Sequence, residues 1–428
     1  MGILSSMWTG VSGLSSQGEA LSVVADNIAN SNTTGFKASR AEFEDIMSRN
    51  VKGIDGGNQL GRGVRIGAIN PVLLQGNIDN TDRGTDLAIN GDGYFQVKGT
   101  EGVSYTRDGS FTFDRNGYLV TNNGQRVQGY MADEKGKIET RTGDVKMPKA
   151  LVNASATKEI KLELNLDSRA IPDARVFDAK DPYKTSDFAT ATETFDSQGN
   201  KHVLNLFFNK GVDRNWTYRG MVDGKEVEGT PEGQDLAQVC EGKLNFTEDG
   251  KLNSEEMTAS NFNFKNGAKQ DQQIKISFGD ALATGGKGEG TKQYGKESDV
   301  IKWSQDGYSA GTVTNLSFND AGILTASYTN GQVLDLGQIL LAKFENPEAL
   351  FKQGGNLFKQ SRDAGEPSLG GARQSGRGSI MAKSLERSTV DIASEFVSMI
   401  TNQRAFQANA KTVSTADELL NEVIQMKR

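Results

Sequence analysis

Two side chains that could do chemistry, a cysteine and a histidine, each occur once in the 428 residues. Cys240 alone can form neither an intrachain disulfide nor a cysteine-based zinc site. His202 alone excludes a histidine-rich metal site, and a histidine-dependent triad could only be centred there. His202 shares a face of the alternating segment KHVLNLFF with Leu204 and Leu206, which predicts a packed strand residue. Cys240 is predicted to be a small buried residue or an inert thiol, with covalent cross-linking through its sulfur as the alternative.

Glycine-containing turns could bind calcium or phosphate, but their spacing fits neither ligand. An EF-hand loop needs oxygen ligands in its first half, a central glycine and a closing glutamate. Aligned on Gly250, one ligand position holds Thr247, and aligned on Gly117, the closing position holds Asn123. The loop GRGVRIG has glycines at the wrong spacing for a dinucleotide-binding loop. The loop GGKGEGTK lacks the Gly-Lys-Ser/Thr of a P-loop. The sequence therefore predicts no metal, no cofactor and no enzyme active site.

The net charge argues against a nucleic-acid partner, and the hydropathy argues against a membrane span. The net charge is −7, from 55 acidic and 48 basic residues, whereas nucleic-acid surfaces usually carry a basic excess. No apolar run approaches the roughly 18 residues of a membrane span. The N-terminus MGILSSMWTGVSGLSSQGEA has neither the basic nor the continuous apolar region of a cleaved secretory signal. We expect no nucleic acid, no membrane insertion and no cleaved signal peptide.

Both ends of the chain carry an apolar stripe whose spacing alternates four and three residues, which is typical of a coiled-coil seam. The N-terminal stripe is Ile3, Met7, Gly10, Leu14, Gln17, Leu21, Val24 and Ile28. The C-terminal stripe is Ile392, Phe396, Met399, Gln403, Phe406, Ala410, Val413, Asp417, Leu420 and Ile424. Ser388 and Asp391 predict a capping box that opens the second helix, which would run from Thr389 to Lys427.

Two interpretations of these stripes remain open. A single stripe is usually the core-facing side of an ordinary amphipathic helix. Stripes at both termini favour pairing of the two ends, because termini fray unless they dock. One long partner helix would still leave much of each seam exposed. The small residues Gly10, Gly13 and Ala20 permit close helix approach, and the combination points towards packing between chains.

Between the ends, the pattern is that of β-structure. The motif apolar-x-Phe-x-x-x-Gly-x-Leu recurs around Gly117, Gly250 and Gly322, and glycine can adopt the positive φ that a hairpin turn needs. We predict a mixed, mainly β fold: two β-rich domains in series, plus paired terminal α-helices forming a coiled-coil-like inner domain. The predicted parts are terminal helices at 1–30 and 386–428, connections at 31–70 and 365–385, an inner β domain at 71–149 and 300–364, and an inserted outer β domain at 150–299. The Gly/Lys-rich stretch 279–298 is expected to be exposed.

Several motifs resemble those of the flagellar rod and hook axial protein family. VVADNIANSNTTGFKASRAEFEDI (23–46) is similar to its N-terminal signature, and LERSTVDIASEFVSMITNQRAFQANAKTVSTADELLNEVIQM (385–426) to its C-terminal one. RGTDLAINGDGYF, QDGYSAGTV and LDLGQILLAKFENPEAL extend the resemblance to both halves of the inner β domain. The 150–299 insertion is similar to that of hook members rather than of the shorter distal rod members. The chain departs from the family at Lys383-Ser384, where glycine is common, at Thr389, often Asn, and at Phe406, often Tyr.

The resemblance implies which residues make contacts between subunits. Polar residues 26–34 would end the first helix and Gly35 would turn the chain, separating an inner helical layer from outer β domains. Phe36 would anchor the following segment, while Lys37 and Arg40 would be surface contacts. The implied subunit-interface residues are Met7, Leu14, Leu21, Val24, Ile28, Asn30, Gly35, Phe36, Lys37, Ile392, Phe396, Met399, Gln403, Phe406, Ala410, Val413, Leu420 and Ile424.

The function implied is that of a structural, non-enzymatic subunit of the flagellar hook, which self-assembles into a flexible helical tube passing torque from rod to filament. Implied partners are further copies of the chain, the distal rod protein, the hook cap, the hook–filament junction proteins and the flagellar export apparatus. The implied location is the extracellular hook, reached without a cleaved signal peptide. The alternatives are a distal rod protein, which would lack the 150–299 insertion, and an extracellular β-rich adhesin, which would not explain the terminal stripes.

Overall fold

Helices occupy both ends of the chain and strands the middle in the computed structural model, which describes residues 2–426 except 47–48, 51–58, 134–135, 149, 173–175 and 231–234. The chain divides into two compact units. Unit 1 comprises Met1–Pro148, Asn315–Ser327 and Val333–Arg428, and unit 2 comprises Lys149–Thr314 and Tyr328–Gln332. A mainly β fold with terminal helices that pack together confirms the predicted fold class.

The helices are α1 (Gly2–Ala29), the short α2 (Pro182–Thr185) and α3 (Ile392–Met426). The strands of the first segment are β1 (Ser39–Asp45), β2 (Arg49–Asn50), β3 (Gln59–Leu60), β4 (Val64–Pro71), β5 (Ile78–Asn80), β6 (Leu87–Asn90), β7 (Tyr94–Gly99), β8 (Gly102–Thr106), β9 (Thr112–Phe113), β10 (Leu119–Val120), β11 (Arg126–Ala132) and β12 (Ile138–Asp144). Next come β13 (Leu151–Val152), β14 (Glu159–Asp167), β15 (Phe188–Phe195), β16 (Lys201–Lys210), β17 (Asn215–Asp223), β18 (Leu236–Phe246), β19 (Leu252–Ser260), β20 (Lys275–Ser277), β21 (Lys292–Tyr294) and β22 (Asp299–Gln305). The last are β23 (Gly311–Phe318), β24 (Ile323–Tyr328), β25 (Val333–Ile339), β26 (Leu341–Lys343), β27 (Phe351–Gly354), β28 (Leu357–Lys359), β29 (Ser368–Gly370), β30 (Ser379–Ala382) and β31 (Ser384–Glu386).

Unit 1 is built on a sheet in which the neighbouring strands are β24-β25-β11-β7-β8-β28-β27. Its core includes Leu87, Phe95, Phe111 and Leu119, all fully buried. Strands close to the C-terminal helix pair with strands from early in the chain: β30 with β6, and β31 with β5. These pairings hold the segment that enters α3 against residues 78–90.

The predicted hairpins are present, and glycine sets their turns. Gly117, Gly250 and Gly322 have φ values of 81°, 73° and 73°, the left-handed conformation that glycine adopts without steric cost. β9 pairs with β10 and β18 with β19, both antiparallel. The local prediction succeeded because the turn residue and the alternating flanks are adjacent in sequence.

Unit 2 packs two sheets over one core. The antiparallel order β15-β16-β17-β18-β19 forms one sheet, and β14 with β20, β21 and β22 forms the other. Trp216, Phe264 and Leu164 are fully buried in the core between them. β22, which the sequence analysis placed in the inner β domain, pairs with β14 along most of its length.

The expectation that 279–298 would be exposed is wrong at four positions, because Ala281, Gly288, Thr291 and Gln293 are buried. Thr291 is fully buried, and its hydroxyl donates to Leu162 O and accepts from the Leu164 N–H, each over 3.2 Å. Gln293 is 7% exposed in β21. The Thr291 hydroxyl thus provides hydrogen-bond partners for two backbone groups of β14, which would otherwise be buried without one. Thr291 is polar because it makes these hydrogen bonds, not because it faces solvent.

Candidate subunit interface

The two terminal helices pack side by side and run antiparallel. Close to the end of α1, the Asn27 side-chain amide donates to Glu395 Oε1 over 3.0 Å. Near the start of α1, Gly10 faces Val413, on the C-terminal half of α3. Burial raises the pKa of the Glu395 carboxyl, and the Asn27 hydrogen bond opposes that rise. The predicted pairing of the two chain ends is therefore made within one chain.

Glycine lets α1 and α3 approach closely. A Cβ on Gly13 would lie 2.6 Å from Asn409 Nδ2, and one on Gly10 would lie 2.9 Å from Val413 Cγ2. Both distances are shorter than a normal contact, so only glycine fits without a shift. These small residues were expected to serve packing between chains, and that interpretation is corrected: Gly10 and Gly13 pack within the chain.

The face of α3 turned towards α1 lies one residue away from most of the predicted seam. Glu395, Asn409 and the buried Ala416 lie on that face, whereas the seam runs through their neighbours Phe396, Ala410 and Asp417. One residue corresponds to a rotation of about 100° around an α-helix. Phe396 and Phe406 of the seam therefore lie beside the helix contact, whereas Val413 of the seam lies within it.

Several large seam residues of α3 remain exposed in the single chain. Ile392, Phe396, Phe406 and Ile424 keep 45%, 49%, 43% and 65% of their surface exposed, and Gln403 is also exposed. The exposed Val397, Ile400 and Val423 were not predicted. Met399, Ala410, Val413 and Leu420 are partly buried. We call Ile392, Phe396, Ile400, Phe406 and Ile424 the α3 stripe.

On α1, the predicted seam is better covered. Val24 is buried, and Met7, Leu14, Leu21 and Ile28 are partly buried. Ile3 in that seam, like Lys427 at the predicted end of the second helix, lies outside the residues whose side chains are described. Leu4 and Trp8, outside the predicted seam, are exposed at 52% and 66%. Their exposure extends the unpartnered apolar surface to the first turns of α1.

The C-terminal helix begins later than predicted. Asp391 Oδ1 accepts from the N–H groups of Ala393 and Ser394 over 2.9 and 3.2 Å, so Asp391 is the N-cap. Ser388 instead accepts from the Val390 N–H over 3.3 Å. The predicted Ser388 capping box is wrong because residues 386–390 are held by β31 and by contacts with the segment after α1.

The end of α1 follows the prediction in part. The Asn30 amide donates to Asp26 O over 2.9 Å, a local bond that satisfies a carbonyl at the helix end. Gly35 has a φ of 68°, and a Cβ there would lie 2.7 Å from the Arg107 carbonyl carbon. Asn27 does not bond locally: its amide bonds both backbone groups of Ser39, each over 2.8 Å. That pair holds the start of β1 against the helix.

A buried ion cluster lies where the two terminal segments meet the β sheet. Lys37 Nζ lies 2.7 Å from Glu386 Oε1, and Arg107 Nη1 lies 3.3 Å from Glu386 Oε2. Lys37 also donates to Leu74 O over 2.6 Å, and Glu386 accepts from the Gly76 N–H over 2.8 Å. We call Lys37, Arg107 and Glu386 the junction cluster; its side chains are 2%, 8% and 0% exposed.

Lys37 was predicted to be a surface contact, and that prediction is wrong. Burial is the main cause that lowers the pKa of the Lys37 ammonium, and the hydrogen bond to Glu386 opposes it. Arg40 is exposed as predicted, and Phe36 is partly buried beneath Lys352, whose Nζ lies 5.3 Å from the ring centroid. The pattern missed Lys37 because its two charged partners are distant in sequence.

The departures from the family pattern at 383 and 389 have structural counterparts. Lys383 has a φ of 53°, a conformation that favours glycine. Thr389 donates its N–H to Phe36 O over 3.1 Å and accepts from the Ala38 N–H through Oγ1 over 3.0 Å. Thr389 thus joins the start of the C-terminal segment to the segment that follows α1.

Arg107 and Glu386, the two partners of Lys37 in the junction cluster, were not among the predicted site residues. Arg107 also donates to Gly91 O over 2.9 Å and lies 5.3 Å from the Tyr94 ring centroid. Glu386 lies in the C-terminal signature, but its carboxylate is separated from Lys37 by 349 residues. The available signal was the charge of Glu386 itself: if this residue is buried in a strand, its carboxylate requires a partner.

The two residues first considered for chemistry are packed inside unit 2. His202 is 7% exposed and stacks on Phe264 with ring centroids 3.8 Å apart; its Nδ1 lies 2.7 Å from Glu226 Oε2. Cys240 is fully buried, and burial raises the pKa of its thiol to about 12. A thiol with that pKa is a poor nucleophile at neutral pH, which disfavours cross-linking from the folded subunit.

Neither a metal site nor a membrane-spanning helix occurs in the part of the chain that the structure describes. No group of three or more His, Cys, Asp and Glu side chains there has a metal-site arrangement. No helix in the same part of the chain is both long enough and apolar enough to cross a bilayer.

Four domain families match successive parts of the chain. Residues 7–37 match the flagella basal body rod protein family, and residues 88–163 match the flagellar hook protein FlgE/F/G D1 domain. Residues 165–308 match the flagellar basal body protein FlaE D2 domain, and residues 381–426 match the flagellar basal body rod FlgEFG protein C-terminal family. The matches include both terminal segments and both β-rich parts.

Individual proteins are similar over the whole chain. The flagellar hook protein FlgE of Treponema pallidum is 32% identical, with 100% of both chains covered. FlgE of Salmonella typhimurium is 31% identical, covering 97% of this chain and 98% of the relative. A crystal structure of Helicobacter pylori FlgE2 superimposes with a TM-score of 0.53 at 15% identity, covering 72% of this chain and all of that one. This last likeness concerns the fold alone.

Proposed function

Since the chain belongs to the flagellar hook protein family and is a structural subunit of the flagellar hook, we propose that the α3 stripe is a surface through which copies pack into the hook tube. The observation that carries this is the exposure of Phe396, Phe406 and Ile424 on a helix whose other face is already covered by α1. Burying the exposed half of each such side chain contributes roughly 0.7–1.5 kcal/mol. Hook subunits form homopolymers, so the proposed partner that covers the α3 stripe is another copy of the chain.

The other predicted interface residues are proposed to support the α3 stripe indirectly, in two ways. Met7, Leu14, Leu21, Val24 and Ile28 would hold α1 in place so that the α3 stripe stays exposed. Asn30, Gly35, Phe36 and Lys37 would set the direction in which the helices leave the β sheet. A heterologous contact that does not close into a ring generates a helical polymer, which fits a tube built from one chain.

The polymer is proposed to work as a flexible joint that passes torque from rod to filament and has no enzymatic activity. Its further partners would be the distal rod protein, the hook cap and the hook–filament junction proteins at its ends, and the flagellar export apparatus during assembly. We propose that the subunit is extracellular and is exported without a cleaved signal peptide. The predicted outer β domain would contribute more to curvature than to tube formation. Whole-length similarity to hook proteins supports these roles over those of a distal rod protein or an adhesin.

A double substitution in the α3 stripe tests the proposed interface. Phe396→Ser with Phe406→Ser should abolish tubes in electron micrographs of the purified protein, while circular dichroism and solubility stay those of a folded subunit. Val203→Ser is the matched control, because Val203 is an exposed apolar strand residue (46%) outside the helices, and this variant should still form tubes. Normal tubes from the folded double variant would show that the α3 stripe is not the interface.

A further inference from the structure

Five asparagines in this chain are followed directly by glycine: Asn90, Asn116, Asn123, Asn266 and Asn330. Glycine leaves the preceding side chain unshielded, so its backbone nitrogen can attack the asparagine amide and release ammonia. The reaction requires the glycine N–H to be free of other partners and the side chain to move. The five Asn-Gly dipeptides, called steps below, have the same two residues, so the folded structure decides which of them reacts fastest.

Four of the five glycine N–H groups are held by hydrogen bonds. Gly91 donates to Gln75 Oε1 over 2.9 Å, Gly117 to Asp114 O over 3.0 Å, Gly124 to Thr121 O over 2.9 Å and Gly331 to Tyr328 O over 3.0 Å. Asn330 is held further, because its amide donates to Ser309 O over 2.7 Å and its Oδ1 accepts from the Gln332 N–H. Each of these bonds must break before the nitrogen can attack.

The fifth step, Asn266–Gly267, is different. Within the described residues, neither the Gly267 N–H nor the Asn266 side chain has a hydrogen-bond partner, and both residues are exposed. Their φ values of 64° and 81° are those of a two-residue hairpin-type turn. The neighbouring groups that are held, Lys265 N bonded to Glu226 O and Gly267 O bonded to Gln198 Nε2, do not belong to the Asn266–Gly267 peptide group.

We propose that Asn266 is the site at which the folded subunit deamidates spontaneously. The Gly267 nitrogen forms a bond to Cγ of Asn266, and the Cγ–Nδ2 bond breaks. Ammonia leaves with the proton that the Gly267 nitrogen gave up, and a cyclic imide remains. Water then opens the imide at either carbonyl, giving aspartate or isoaspartate. No oxidant or reductant is needed, and water is the only co-reactant.

The product changes the surface of unit 2. One neutral amide becomes a carboxylate between Lys265 and Lys269, which makes the turn more acidic. Isoaspartate also adds a methylene to the backbone, and the two-residue turn cannot keep its geometry. The Gln198 bond to Gly267 O, which connects this turn to the turn between β15 and β16, would then be weakened. The folded subunit would accumulate this change first at Asn266.

Peptide mass mapping of the full-length protein tests the proposal. After incubation in mildly alkaline buffer, Asn266 should be deamidated about 2- to 10-fold faster than any other Asn-Gly step, the factor expected from one net hydrogen bond. In concentrated urea the five steps should react at similar rates, because the sequence around each provides the same glycine. Asn266→Gln should remove the fastest release of ammonia and leave the other four rates unchanged.

The opposite pattern would overturn the proposal. If Asn116 or Asn123 reacts as fast as Asn266 in the folded protein, the free N–H does not control the site. If Asn266 stays intact in the folded protein while it reacts in urea, the turn itself protects it. An Asn266→Gln variant that releases ammonia at the original rate would place the reaction elsewhere.

Discussion

At the scale of single residues, the junction cluster brings together three charged side chains that are each at most 8% exposed. The Glu386 carboxylate forms ion pairs with two cations, Lys37 and Arg107, and also accepts a hydrogen bond from the Gly76 N–H. Such a cluster does not by itself imply high stability, because desolvation offsets the attraction. Its effect here is geometric: it connects the segment after α1, the β sheet and the segment before α3 through one carboxylate.

Replacing the central carboxylate should therefore be costly. Glu386→Gln leaves Lys37 and Arg107 buried without a counter-charge, and we expect the free energy of unfolding measured in urea to fall by about 3–5 kcal/mol. Glu248→Gln is the control, since it removes the exposed partner of Arg214 and should change stability by at most about 1 kcal/mol. Equal effects of the two substitutions would mean that the cluster is not a buried, coupled unit.

Titration of the Lys37 ammonium should also make the free energy of unfolding depend on pH. Burial lowers its pKa below the usual 10.5 in the folded chain. Between the folded and unfolded pKa values, the unfolded chain binds more protons, so Lys37 makes the free energy of unfolding rise with pH. Lys37→Met should lose this rise, whereas Lys161→Met, at an exposed lysine, should keep it. A Lys37→Met variant with the wild-type slope would contradict the assignment.

At the scale of the helices, small residues decide which faces meet. α1 approaches α3 closely at Gly10 and Gly13, and the α3 stripe lies outside this contact. A helix pair joined through larger side chains would cover the stripe instead. The pairing within one chain and the surface offered to other chains are therefore two consequences of the same packing.

Two glycines in α1 provide a matched test of that packing. Gly13→Ala places a Cβ 2.6 Å from Asn409 Nδ2, so the Asn409 side chain must move; we expect this cost to cancel or exceed the gain of about 0.5–1 kcal/mol that alanine gives a helix and to speed amide exchange in α1. Gly18→Ala meets no atom within 4 Å and should stabilise the helix by about 0.5–1 kcal/mol. Slower exchange in both variants would show that α1 and α3 do not pack closely at Gly13.

At the scale of the whole molecule, the pairing of β strands defines where the inserted part can be removed. β22 pairs with β14, so an excision that ends at residue 298 would leave β22 without its partner. Val152 and Gly311 face each other as ladder partners of β13 and β23. A short turn can therefore join these two residues if 153–310 is removed.

We expect the chain with 153–310 replaced by a Gly/Ser turn to stay folded and to form tubes. The α3 stripe and the junction cluster lie outside the deleted part, so the main contacts proposed for assembly are kept. Straighter tubes than those of the full chain, measured by electron microscopy, would agree with a role of the removed part in curvature. A folded variant that forms no tubes would place essential contacts between copies in 153–310.

The sequence by itself determined the features that depend on neighbours along the chain. The alternation of four and three residues gave helices at both ends, and alternating strands around glycine gave the hairpins, because secondary structure repeats over a few residues. Gly35 was predicted as a turn for the same reason. Family motifs added the order of the parts.

Only the tertiary structure decided which faces and which charges meet. A seam read from periodicity carries an error of one residue, and that error corresponds to about 100° of rotation on a helix; the choice depended on how closely Gly13 and Asn409 can approach. Lys37, Arg107 and Glu386 are separated by up to 349 residues, and nothing local pairs them. Contacts of this kind are set by the fold as a whole, because the free energy of a buried charge depends on every group around it.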